Sequence, residues 1–142
     1  MSGIEIGLAG GGECVVRHRA TGVEVRTSKS PEYGGTGTSF SSTDLLAAAL
    51  GTCIATDIEP VAERHGIDAG SIRVRVSKVL SVRPKRMVLL EVEVEVPAGS
   101  PPDVLVRLER AAGHCLVHRS LSPEIEVRVR VRARERTEGE GA

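Results

Sequence analysis

Cysteine supplies the thiol chemistry open to this chain, which has three: Cys14, Cys53 and Cys115. A deprotonated thiol can act as a nucleophile, take part in a redox cycle or bind a metal. No pair has CxxC spacing, so any partnership between them must come from the fold. Cys53 lies in the middle of Leu45–Thr56, a run of Leu, Ala, Gly, Thr, Cys and Ile without a charge. Asp57 follows one helical turn later on the same face. Its negative charge disfavours a thiolate beside it, and Cys53 is too far into the helix for the dipole to help much. Cys115 stands in His114-Cys115-Leu116-Val117-His118-Arg119-Ser120-Leu121. Two readings stay open on spacing alone. Both thiols are inert core residues, since free Cys is among the most buried residue types, or they react and need a cation nearby. Arg17, Arg19 and Arg119 are the candidate cations, and each reads more readily as a solvated strand or loop charge. His65, His114 and His118 with Cys53 are ligand types that suit zinc, but no paired-cysteine spacing supports a metal site, and neither metal nor cofactor is expected. Cys14 reads as a packing residue. The loop Gly34-Gly35-Thr36-Gly37 is not a phosphate loop, because no Gly-Lys-Ser/Thr follows.

The elements that must position these residues begin with the stretch Ser41–Gly66. Leu and Ala favour a helix, Ser41, Ser42 and Thr43 offer capping oxygens, Asp44 suits the first turn, and Gly66 suits the stop. A helix uncharged all round for three turns has to be covered by protein. Gly51 and the many Ala predict that another backbone comes close. Before it, Ile4–Leu8, Cys14–His18 and Val23–Thr27 carry strand signals, the last two joined at Ala20-Thr21-Gly22, and Ser30–Ser39 reads as a loop. After it come three alternating strands, Ile72–Val76, Leu90–Val96 and Ile125–Ala133. Their polar faces show Arg73 and Arg75, then Glu91, Glu93 and Glu95, then Arg128, Arg130 and Arg132, so the Glu strand should neighbour at least one Arg strand. Ser81–Arg86 reads as a hairpin and Ser100–Gly113 as a second helix. The apolar face of this sheet is the natural seat for the central helix.

The chain has 142 residues, 19 basic and 19 acidic, which fits a single domain over residues 1–133 with a charged, Gly-rich, disordered tail at 134–142. A net charge of zero, with one Phe, one Tyr and no Trp, argues against nucleic acid as a partner and favours self-association. The uncharged run is too short to span a bilayer and no signal peptide is visible, so neither membrane nor export is expected. An odd number of cysteines in such a chain reads as reduced, cytoplasmic thiols.

The order of a Gly-Gly loop, then Ser-Ser-Thr-Asp-Leu-Leu-Ala-Ala-Ala-Leu-Gly-Thr-Cys, two alternating strands and Arg-Ala-Ala-Gly-His-Cys-Leu-Val-His-Arg-Ser-Leu resembles the OsmC/Ohr family, the osmotically inducible and organic hydroperoxide resistance proteins. The resemblance covers roughly residues 5–132. It implies an α+β fold with antiparallel sheets packed around a long central helix, in an intertwined homodimer. It also implies a thiol peroxidase, with Cys53 attacking an organic hydroperoxide, Cys115 resolving the sulfenic acid and an external dithiol closing the cycle. The hydroperoxide-resistance branch has a Pro-Glu pair at the helix start, where this chain has Ser42 and Thr43, with Asp44 one step later. It takes an activating Arg from a Gly-Gly-Arg turn, where this chain has Glu13, and follows its second cysteine with Pro, where this chain has Leu116. The chain therefore resembles the OsmC-like branch more closely. The alternative is a non-catalytic dimer on the same scaffold that holds a small apolar ligand while its thiols stay inert.

Overall fold

Eleven elements follow one another in the computed structural model, which describes residues 3–136. Most of the predicted tail, residues 137–142, lies outside the described residues. The chain divides into two compact units, one up to Leu46 and one from Ala47 onward.

The first unit holds an antiparallel sheet, β1 (Ile4–Gly10), β2 (Glu13–His18) and β3 (Glu24–Ser28), in that order. Ile4, Ile6 and Leu8 stand opposite His18, Val16 and Cys14, and Val25 and Thr27 continue the row on β3. Side chains at directly paired positions share a face, so this face is mostly apolar. It is open in the single chain: Leu8 is 90% exposed and Ile4 69%. The Gly-rich loop after β3 opens with a short 3-10 turn, Pro31–Tyr33, and folds back tightly. A Cβ on Gly35 would lie 1.9 Å from the Lys29 carbonyl oxygen, so no other residue fits there. The Glu13 carboxylate accepts hydrogen bonds from the hydroxyls of Thr36 (3.0 Å) and Thr38 (3.3 Å) and ties this loop down.

α1 (Ser42–Arg64) starts in the first unit with a reciprocal cap. The Asp44 amide donates to Ser41 Oγ, and the Ser41 amide donates to the Asp44 carboxylate. It stops as expected: the Gly66 amide bonds the Glu63 carbonyl and the Ile67 amide the Ala62 carbonyl, with Gly66 at φ +74°. The helix runs for 23 residues, and an 18-residue window reaches a mean hydropathy of 1.4, so length and composition would suit a membrane span. The expectation that this helix is too short to cross a bilayer is corrected on that count. The uncharged run ends at Thr56 but the helix does not, because Ile58, Val61 and Ala62 keep an apolar stripe going among Asp57, Glu59 and Glu63. The same stripe suits a core helix. Leu50, Ile54, Ile58 and Ala62, four residues apart, are fully buried.

The second unit is built on β4 (Arg73–Val82), β5 (Lys85–Val96) and β6 (Glu126–Ala133), with β5 in the middle. β4 and β5 are antiparallel, but β6 runs parallel to β5. The second sheet is thus mixed, where antiparallel strands alone were expected. The reason is the connection: α2 (Pro102–Ala112) and α3 (Leu116–Ser120) carry the chain back before β6 begins. α3 was not anticipated, being too short for periodicity to reveal. The apolar face presents Val92, Val94, Val96 and Val131, all buried, and α2 buries Val104, Leu108 and Ala112. Gly51 of α1 seats on this sheet, since a Cβ there would lie 2.8 Å from Val76 Cγ2. The close neighbour is therefore a side chain and not the backbone the sequence suggested.

The Glu strand has an Arg strand on each side. Arg75 reaches Glu93 (3.5 Å) and Glu95 (3.1 Å) from β4, and Arg132 reaches the same two (3.0 and 2.8 Å) from β6. Glu95 is buried, and the Arg75 hydrogen bond, with the charges of Arg75, Arg132 and Arg134, holds its carboxyl below the usual carboxylate range against the opposing effect of burial.

Candidate functional site

Two elements of the second unit bring together residues far apart in sequence. α1 presents Cys53 and Asp57 on one face, four residues apart. The loop after α2 turns back through the Cys115 amide, which bonds the Ala112 carbonyl, and places Cys115 as the cap of α3. The sulfurs of Cys53 and Cys115 and a carboxylate oxygen of Asp57 all lie within 4.8 Å of one another. Cys115 is fully buried, while Cys53 and Asp57 are half-buried.

The hydrogen bonds define the reduced site. The Cys53 thiol donates to Asp57 Oδ2 at 3.9 Å, and the Cys115 sulfur accepts the backbone N–H of His118 at 3.4 Å. Burial pushes the Cys115 thiol above its ordinary value, the hydrogen bond with Cys53 adds to that, and the His118 N–H pulls it back in part. All three cysteines are free thiols. Two thiols at this distance can be oxidised to a disulfide after a modest rotation, and a thiolate here can attack an electrophile that enters beside Cys53.

The candidate cations are placed less helpfully. Arg119 is exposed on α3. Arg17 is exposed on β2 opposite Glu5 and Glu24, and Arg19 is exposed in the hairpin beyond it. Among the described residues, neither sulfur has an Arg or Lys hydrogen-bond partner and Asp57 has no cationic partner. The histidines of the set-aside zinc reading are not gathered either. His65 and His114 are exposed, His65 Nδ1 bonds the Val61 carbonyl, and His118 contributes its backbone amide. That amide is a contribution no side-chain pattern could have indicated. Cys14 sits half-buried on β2 between Leu8 and Thr27, on the face that is open in the single chain.

The OsmC-like protein family has a sequence model that matches residues 35–130, well over half of the chain and the whole span from the Gly-rich loop through both site cysteines to β6. The chain belongs to this family. OsmC-like structures from several bacteria share its fold. A candidate osmotic stress induced and detoxification response protein from Psychrobacter arcticus is 25% identical, with a TM-score of 0.86 over 93% of this chain and 96% of that one. An organic hydroperoxide resistance protein from Legionella pneumophila is 17% identical, with a TM-score of 0.74 over 92% and 96%. Another from Elizabethkingia anophelis is 18% identical, with a TM-score of 0.71 over 94% and 98%. No curated protein matches the chain. In this OsmC-like chain the position expected for an activating Arg is Glu13, and its carboxylate is engaged with Thr36 and Thr38 of the first unit.

Proposed function

We propose that the chain is a thiol peroxidase that reduces organic hydroperoxides in oxidative stress defence, with Cys53 as the attacking residue and Cys115 as the resolving one. The observation that carries the reading is the meeting of the two sulfurs within 4.8 Å across a long stretch of sequence. The family and the hydroperoxide-resistance relatives among the solved structures give the chemistry its direction.

The half-buried Cys53 loses its proton and attacks the O–O bond of ROOH. The S–O bond forms, the O–O bond breaks, the alkoxide takes a proton to leave as ROH, and Cys53 is left as a sulfenic acid. Cys115 then attacks that sulfur, expelling water and forming a disulfide. An external dithiol reduces the disulfide by two exchanges and becomes a disulfide itself. The uncharged run of α1 around Cys53 makes its surroundings apolar and favours an alkyl substituent over hydrogen peroxide. Reduced thiols of this kind fit the cytoplasm.

The same reading includes a homodimer. The open face carrying Ile4, Ile6 and Leu8 supports it, because a second copy of the chain would remove that apolar surface from water. Sedimentation at micromolar concentration should give a dimer, and a stably folded monomer would contradict this part. A second reading has its own support. The burial of Cys115 opposes formation of its thiolate, which suits inert thiols in a dimer that binds a small apolar ligand.

A turnover assay separates the two. It uses an organic hydroperoxide and hydrogen peroxide in parallel, with dithiothreitol and a lipoyl-type dithiol as reductants. Peroxidase action predicts faster consumption of the organic peroxide and loss of turnover in Cys53→Ser. The binding reading predicts no consumption above background.

A further inference from the structure

We propose that the reduced chain binds one zinc ion through the sulfurs of Cys53 and Cys115 and a carboxylate oxygen of Asp57. Two soft sulfurs and one carboxylate form a donor set that suits zinc and gives magnesium or calcium too few oxygens. The three atoms already lie within 4.8 Å of one another. Around a tetrahedral zinc, donors at ordinary bond lengths stand roughly 3.5–3.8 Å apart, so the site has to contract by at most about 1.3 Å. Asp57 and Cys53 are half-buried and on adjacent turns of one helix, so their side chains can supply that movement while the buried Cys115 stays fixed by the His118 amide.

Charge balance favours the same occupant. In the reduced site the Asp57 carboxylate has no Lys or Arg partner among the described residues, and its one polar contact is the Cys53 thiol. A divalent cation that displaces the two thiol protons leaves the net charge of the cluster unchanged, because two protons go into solution for each zinc that enters. The ion supplies in place the positive charge that the thiolates otherwise lack. Three protein donors leave a fourth position for water, as in zinc sites that remain open. This set differs from the histidine-based one considered from sequence: no His joins it, and Asp57 takes the third place.

The binding claim stands apart from the peroxidase reading. Only its consequence rests on that reading: zinc and hydroperoxide would compete for the same thiolates, and a disulfide could hold no zinc.

The test uses the full chain, reduced and stripped with a chelator, then titrated with zinc against a chromophoric competitor and with cobalt(II) as an absorbing substitute. The expected result is one equivalent per chain and a thiolate-to-cobalt charge-transfer band in the near ultraviolet. Cys53→Ser, Cys115→Ser and Asp57→Asn should each weaken zinc binding by at least about tenfold, while Cys14→Ser should not. Should a variant fail to fold, the wild type decides alone: zinc should slow alkylation of Cys53 and Cys115 and leave Cys14 unaffected. Absence of zinc uptake, zinc uptake retained in both Cys53→Ser and Cys115→Ser, or equal alkylation with and without zinc would overturn the proposal. Peroxide turnover by a protein that takes up no zinc overturns this inference alone. Zinc uptake by a protein that never consumes peroxide overturns only the peroxidase reading.

Discussion

Two carboxylates of the second unit occupy opposite electrostatic situations. Glu95 is buried in the middle strand of the sheet and meets Arg75 at 3.1 Å, Arg132 at 2.8 Å and Arg134 at 3.9 Å. Asp57 is half-buried on α1 and meets two thiols and no arginine among the described residues. Glu95 is a finished structural element, with its charge matched by neighbours on both sides. Asp57 is unmatched among the described residues, and the groups beside it are two thiols. The difference teaches where the chain keeps electrostatic freedom: the sheet neutralises its charges in pairs, and the helix leaves one open next to the thiols. Mismatched charge next to nucleophiles marks a candidate site more sharply than charge density does.

The largest effect should come from the thiols themselves. Cys53→Ser should reduce peroxide turnover to the uncatalysed background, because a hydroxyl cannot replace the thiolate. Cys115→Ser should consume about one equivalent of peroxide, then stall as a sulfenic acid and drift to the sulfinic form. Mass spectrometry of both variants distinguishes these fates. Next comes Asp57→Asn, which removes the negative charge beside Cys53. Loss of the Cys53–Asp57 hydrogen bond should change the rate of Cys53 alkylation, and an unchanged rate would show that Asp57 does not act on the thiol.

A smaller effect belongs to the matched carboxylate, read as stability against pH. The Glu95 carboxyl is held low, so its contribution is complete above the ordinary carboxylate value of about 4.3 and is lost as pH falls through the lowered value. Glu95→Gln should flatten the acid limb of a melting-temperature profile and leave Cys53 alkylation untouched. Cys115 has the opposite sign. Its raised thiol contributes fully below the ordinary value of about 8.5 and loses that contribution as pH rises through its own higher one. Cys115→Ser should accordingly flatten the alkaline limb. The smallest effect is expected at Arg128, whose contacts with Glu91 and Glu126 are solvent-exposed. Arg128→Ala should leave the melting temperature unchanged within error, because exposed pairs contribute little.

What was legible in the sequence follows from the range of each interaction. The Val/Arg and Val/Glu alternation placed the Glu strand beside Arg strands, since period two is written residue by residue. The cap at Ser41 and the stop at Gly66 were legible because each is a contact over a few residues. The i, i+4 spacing placed Asp57 beside Cys53. The approach of Cys115 was not legible by itself, because β4, β5 and α2 intervene; only the family resemblance suggested it. The parallel register of β6 was hidden for the same reason: it depends on how α2 and α3 return the chain. β4 and β5 also run further toward their turn than the alternating segments indicated, because pairing between neighbours extends both through Val82 and Lys85.

The central claim is that the two sulfurs of α1 and α3 form one redox unit. Its most direct measurement is mass spectrometry of the reduced wild-type protein after addition of one equivalent of an organic hydroperoxide. The account predicts loss of two hydrogens per chain and a single cross-linked peptide pair joining Cys53 to Cys115 within one chain, with Cys14 still free. A folded protein that stays fully reduced under excess hydroperoxide would contradict it.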